Sequence, residues 1–113
     1  GQGDYIDVAM ADSLIAAMLN NFGSTFAENR APVLNAERAL GGYAFYNIYE
    51  TKDGRHVGLG AQELKFVRNL LGEWGRLDLV PLAERGPGPH QQPLMDFLQG
   101  QFETRTQAEW EAW

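Results

Sequence analysis

The side chains that could do chemistry are few, and their spacing limits what they could do. Glu63 follows a glycine-rich stretch and opens an amphipathic run, the setting of an acid in the first turn of a helix. There the free backbone amides and the helix dipole stabilise a carboxylate, so capping or solvation explains it as well as catalysis does. His56 and His90 are the only histidines. Neither has the spaced acid or histidine neighbours of a metal site, and each reads as a solvated side chain. Asp7 and Asp12 flank a change of period, Asp12 suiting the first turn of a helix. Asp53 belongs to a turn. Ser13, Ser24 and the threonines lack a histidine–acid partner, which leaves serine-type hydrolysis unsupported. Gly41-Gly42 before Tyr43 could bring backbone close to a ligand, but the pair fits neither a P-loop nor a dinucleotide fingerprint.

These residues must be positioned by elements that the sequence announces unevenly. Tyr5, Asp7 and Ala9 alternate with Ile6, Val8 and Met10, which predicts a short strand over residues 5–9. Met10, Leu14, Ala17, Met18 and Phe22 then recur at helical spacing, predicting a helix from about 10 to 22 that Gly23 ends or interrupts. Periodicity fades from 28 to 40, where Pro32 and Asn35 suggest an extended connection. A hairpin is expected next, with strands over 45–50 and 55–60 around Thr51-Lys52-Asp53-Gly54. Gly54 suits a left-handed position, and Tyr46, Ile48, Val57 and Leu59 are the expected buried side chains. Leu64, Val67, Leu70, Leu71 and Trp74 mark a helix over 62–71 stopped by Gly72 or Gly75. Pro93 opens a helix with an apolar face of Leu94, Phe97, Leu98 and Phe102. Thr106 and Glu109 have capping-box spacing. Trp110 and Trp113 follow on a helix that ends too soon to bury them well. That helix and the unpaired strand both suggest missing sequence.

The expected class is α+β: a strand–helix unit over 1–27, a linker over 28–42, and a β-hairpin packed with several helices over 43–113. At 113 residues the chain suffices for one modest core, and its 44% hydrophobic and 12% aromatic content is that of a globular protein. Nine basic against fifteen acidic residues give a net charge of −6 without a basic cluster, which argues against nucleic acid or an anionic membrane as partner. No cysteine is present, so disulfides, thiolate metal sites and cysteine nucleophiles are excluded. No apolar run reaches the length of a membrane span, and the expected location is cytoplasmic.

Two blocks resemble a known family. Residues 1–12, with Asp7-Val8-Ala9-Met10, are similar to "GxGQxVDVSMxD". Residues 46–66, with Thr51, Asp53-Gly54, Gly60-Ala61, Glu63 and Phe66, are similar to "YxTxDGxxxxxGAxExxF". Both belong to the family III CoA-transferases and the related α-methylacyl-CoA racemases, and residues 74–79 and 102–110 also look like stretches of that family.

The resemblance implies an internal fragment of an acyl-CoA enzyme: the tail of a large α/β domain, a linker, and most of a small domain. The full enzyme would be an interlocked homodimer without a metal or tightly bound cofactor, with a coenzyme A thioester as substrate. A transferase would move CoA between carboxylic acids through an aspartate whose motif has no match here and which would lie upstream, leaving the fragment inactive. A racemase would exchange the α-proton with an acid/base pair. The resemblance gives Glu63 a supporting role behind a catalytic histidine, and places Gly41, Gly42 and Tyr43 where transferases carry a glycine-rich loop over the substrate. A rival from another class is a non-catalytic interaction domain that docks through Trp110 and Trp113.

Overall fold

The computed structural model describes all 113 residues and divides the chain into two compact units, Gly1–Pro32 and Val33–Trp113.

The first unit holds two helices, α1 (Met10–Ala17) and α2 (Leu19–Glu28). The helical period is realised, but in two pieces that meet at Met18, which is the C-cap of one and the N-cap of the other. Gly23 lies inside α2, which ends at Asn29 in the left-handed conformation. The strand expected over residues 5–9 is absent, and Tyr5 is 95% exposed. The reason is physical: a strand needs a neighbour for its amides and carbonyls, and this unit contains only helices. Phe22 and Phe26 stack one turn apart on α2, and no residue of the unit is buried.

The second unit begins with a tightly wound segment where an extended connection was expected. Asn35 N–H donates to the Leu40 carbonyl, a turn of 3-10 helix covers Arg38–Leu40, and Gly42 N–H donates to the Glu37 carbonyl. β1 (Tyr46–Glu50) and β2 (His56–Gly60) then form an antiparallel hairpin in which Tyr49 faces Val57 and Asn47 faces Leu59. That register corrects the expected burial. Tyr49 and Phe45 join the core with the half-buried Val57 and Leu59, while Tyr46 and Ile48 point outward, Ile48 being 68% exposed. Because side chains alternate along a strand, apolar residues at every second place of β1 fit either face. The helices that supply the core select Tyr49.

α3 (Leu64–Glu73) buries Val67 and Leu71. Gly75, in the left-handed conformation, ends it, with Arg76 N–H donating to the Leu71 carbonyl and Gly75 N–H to that of Gly72. This pair of bonds satisfies two of the last free carbonyls of the helix, those of Leu71 and Gly72. The short α4 (Val80–Glu84) buries Val80 and Ala83 and was not anticipated. α5 (Gln92–Phe102) carries Pro93 in its first turn and buries Leu94, Leu98 and Phe102, as its spacing predicts. α6 (Gln107–Ala112) starts with the expected capping box between Thr106 and Glu109. Trp110 is buried, against expectation, because its indole N–H donates to the Phe102 carbonyl at 2.8 Å and its ring meets Phe102 and Trp74 edge-on. Trp113 stays 56% exposed and stacks on Trp74. The architecture is α+β: one two-stranded hairpin and six α-helices. No helix is long and apolar enough to cross a membrane.

Candidate functional site

The glycine pair owes its composition to local sterics. Gly41 ends the 3-10 turn with φ +86°, and a Cβ there would meet Asn35 Oδ1 at 2.8 Å. A Cβ on Gly42 would stand 2.5 Å from the Ala36 carbonyl carbon, inside any tolerable contact. Gly42 is further fixed by its carbonyl, which accepts the Gly88 amide at 2.9 Å. Tyr43 is a core side chain, 2% exposed, with the Arg38 guanidinium 4.5 Å from its ring centroid.

Gln91 anchors this segment from across the fold. It is fully buried, and its side-chain amide donates to the Leu82 and Gly86 carbonyls, both at 2.7 Å. Its oxygen accepts from Ala44 N–H at 3.4 Å. Nothing in the run Gln91-Gln92-Pro93 marks one glutamine as buried, since either could equally be solvated at a helix start. Tyr49 completes the anchoring: its phenol donates to the Ala44 carbonyl at 2.6 Å, and burial pushes its titration well above the ordinary range of a tyrosine. The backbone on either side of Tyr43 is therefore held by the loop before α5 and by the hairpin.

Asp53 and Thr51 act together, and over a longer range than a turn requires. Thr51 is buried and its hydroxyl donates to Asp53 Oδ1 at 2.6 Å. The same oxygen accepts the Gln107 amide at 3.1 Å, and Lys52 N–H donates to the Arg105 carbonyl at 3.0 Å. The hairpin turn thus holds the start of α6. The Thr51 hydrogen bond, with the Gln107 amide and Arg55 adding to it, holds the Asp53 carboxyl below its usual range. Hydrogen bonds from Thr106 do the same for Glu109.

Glu63 is the N-cap residue of α3 rather than part of its first turn, and its side chain caps nothing. Its carbonyl accepts from Phe66 N–H, while the exposed carboxylate has no hydrogen bond or ion pair. His56 is exposed on β2, and His90 Nε2 lies 2.9 Å from the Gly86 carbonyl. Asp7 and Asp12 are exposed in the first unit.

Two open apolar cavities line the hairpin. One, of about 510 Å³, lies among Leu40, Gly41, Tyr46, Ile48, Gly58 and Gly60. The other, of about 500 Å³, is walled by Leu59, Ala61, Phe66, Leu70 and Trp113 with Glu73 at its rim. Of the residues singled out from sequence, Gly41 reaches the first cavity; Tyr43 and Glu63 line neither. The chain therefore offers apolar surface beside an immobilised glycine pair, without a nucleophile and base in contact.

A small α+β domain with this hairpin and glycine pair defines the class of fold. The model of CoA-transferase family III matches residues 1–113, and the chain belongs to that family. No curated protein and no solved structure matched the chain.

Proposed function

We propose that these residues are part of an acyl-CoA-processing enzyme, a CoA-transferase that moves CoA between carboxylic acids. Membership of CoA-transferase family III over the full 113 residues carries this reading. In such a reaction an aspartate attacks the thioester carbonyl and expels CoA as thiolate, leaving an acyl-enzyme anhydride. The thiolate returns to the aspartyl carbonyl, releasing the donor acid and forming an enzyme thioester. The acceptor carboxylate then repeats the exchange in reverse. The aspartate would come from a part of the enzyme outside these residues, in a large domain to which residues 1–27 would contribute helices. The second unit would be the small domain, with Gly41 presenting backbone to the thioester while buried Gly42, its N–H and carbonyl both bonded, and Tyr43 hold that segment from beneath. The isolated chain would be inactive, and the full enzyme a cytoplasmic, interlocked homodimer.

The unpaired carboxylate of Glu63 favours a second reading, α-methylacyl-CoA racemisation, in which that acid would orient a histidine from elsewhere in the enzyme.

The test is a titration of the ¹⁵N-labelled chain with CoA and acetyl-CoA. Shifts at Gly41 and Gly42 are expected for the transferase reading, with Glu63 moving as well if the acid faces the substrate. Saturating ligand that moves none of the three would remove this chain from the thioester site. Deuterium uptake at the α-carbon of a 2-methylacyl-CoA, assayed with the whole enzyme, separates racemase from transferase.

A further inference from the structure

The hairpin turn makes two demands that sit badly together. Gly54 has φ +72°, in the left-handed region, so the turn prefers glycine there. Asp53 is needed beside it, because one oxygen of its carboxylate accepts from both the Thr51 hydroxyl and the Gln107 amide. Asp53 is the chain's only aspartate followed by glycine, and no asparagine precedes one. That dipeptide has a chemistry of its own. The nitrogen of the following residue can attack the aspartate Cγ, and glycine, lacking a Cβ, hinders the approach least. A C–N bond forms, a Cγ–O bond breaks, and water leaves with the amide proton and the carboxyl proton. The cyclic succinimide that results takes water back at either carbonyl. Opening at Cγ restores aspartate. Opening at the main-chain carbon gives isoaspartate, whose backbone runs through the former side chain and is longer by a methylene.

The folded chain resists each step. Gly54 N–H donates to the Thr51 carbonyl at 2.9 Å, so the attacking nitrogen is engaged within the turn. Thr51 is 2% exposed and its hydroxyl holds Asp53 Oδ1 at 2.6 Å, with the Gln107 amide on the same atom at 3.1 Å. The other oxygen lies 3.7 Å from Arg55 Nε. Turning the carboxyl towards Gly54 would part it from Thr51, Gln107 and Arg55. The same hydrogen bonds hold the carboxyl below its usual range, which keeps it as the anion, the form that expels water least readily. Part of this protection comes from far along the chain. The Gln107 amide belongs to α6, and Lys52 N–H donates to the Arg105 carbonyl just before it. A helix of six residues comes away from its neighbours at far lower cost than the core unfolds.

We infer that Asp53 is a site of isoaspartate formation through the Gly54 amide, protected while α6 is docked on the turn and reactive when α6 leaves it. The reaction joins two neighbouring residues and needs only water, so it asks for no surface left free to a partner. It also removes its own control. The new linkage lengthens the turn and takes the carboxylate off the atom that met Thr51 and Gln107. A chain modified here keeps the pairs Tyr49/Val57 and Asn47/Leu59, which lie outside the turn, and loses the attachment of α6.

The experiment ages the intact chain beside a synthetic peptide of residues 51–63, which has no α6 to hold it, at body temperature and mildly acidic pH. Digestion of the aged chain after Glu50 and Glu63 releases the same segment, whose aspartyl, succinimidyl and isoaspartyl forms separate by chromatography and mass. Isoaspartate should accumulate at least about 10-fold more slowly in the folded chain than in the peptide. Thr106→Ala weakens the cap of α6 and leaves the turn untouched; it should raise the rate in the folded chain about 5-fold, the factor by which it favours release of the helix. Thr51→Val keeps the shape and removes the hydroxyl, and should raise the rate about 10-fold. In the purified isoaspartyl chain the Gln107 amide should exchange freely while the ladder amides of Tyr49 and Val57 stay protected. An equal rate in chain and peptide, a Thr106→Ala rate unchanged from the parent chain, or a modified chain that still protects Gln107 would each overturn the inference.

Discussion

The two units of this chain are written in similar residues and end in different states. Gly1–Pro32 carries Tyr5, Ile6, Val8, Met10, Leu14, Ile15 and Phe26 exposed and buries nothing. Val33–Trp113 closes a core around Tyr43, Phe45, Tyr49, Val67, Leu71, Leu94, Leu98 and Trp110. Local pattern is present in both, since α1 and α2 form where their periodicity says. What differs is the supply of surfaces to cover an apolar face. Amphipathicity creates a demand for burial, and only a second element meets it.

Truncating equivalent apolar groups should expose that difference most. Phe45→Ala removes a fully buried ring and should cost about 3–5 kcal/mol by urea unfolding. Ile6→Ala should lie within about 0.5 kcal/mol of the parent chain, as for other surface substitutions. A comparable loss at Ile6 would show that the first unit buries it after all.

The next largest effect concerns the anchored glycine pair. Gln91→Leu keeps the volume but strands the Leu82 and Gly86 carbonyls and the Ala44 amide, at a cost of about 2–3 kcal/mol. Far-UV and near-UV signals should lose stability together, because the anchor and the core are one cooperative unit. A near-neutral Gln91→Leu would mean that water replaces the glutamine.

Acid should then loosen the second unit before the first has anything to lose. Asp53 and Glu109 both have folded-state titrations lowered by hydrogen bonds. A lowered carboxylate contributes stability that is present above its unfolded pKa and is lost as pH falls through the folded value. Trp110 fluorescence during urea unfolding should therefore report a fall in stability below about pH 4, where unfolded carboxylates begin to bind protons. Asp53→Asn should flatten that dependence, and an unchanged slope would detach the carboxylate from α6. At neutral pH, Thr106→Ala should cost about 1 kcal/mol through the lost cap.

The smallest contrast is a gain. A Cβ at Gly23 in α2 or at Gly100 in α5 meets nothing within 4 Å. Gly100→Ala should stabilise the second unit by about 0.5–1 kcal/mol and raise its Tm, whereas Gly23→Ala should raise helicity in the first unit without a matching shift in Tm. A Tm rise from both would mean that the units unfold together.

Where a feature depended on nearby residues, the sequence showed it. The turn at residues 51–54, the Thr106–Glu109 box, Pro93 at the head of α5 and the stop at Gly75 all rest on contacts a few residues apart. Features that depended on distant partners were hidden or misjudged. The buried face of β1 is chosen by α5, whose Phe102 stacks on Tyr49, and Trp110 finds its acceptor eight residues back, at Phe102. The family motif was recognisable as a string, but its meaning needed the fold: Tyr49 donates to Ala44, Thr51 to Asp53, and Asp53 accepts from Gln107. The candidate site was legible as Gly41-Gly42 and not as Gln91, which holds the backbone next to it.

The link from the hairpin turn to α6 also bears on the order in which the chain acquires structure. Six residues are far too few for a helix to persist by itself. α6 must then wait until residues 51–53 are already in place, some fifty positions earlier in the chain. Its amides should be among the last of the second unit to gain protection in pulse-labelling, and among the first to exchange in the native state. α6 is thus a latch that closes late and opens early, with Asp53 as its catch.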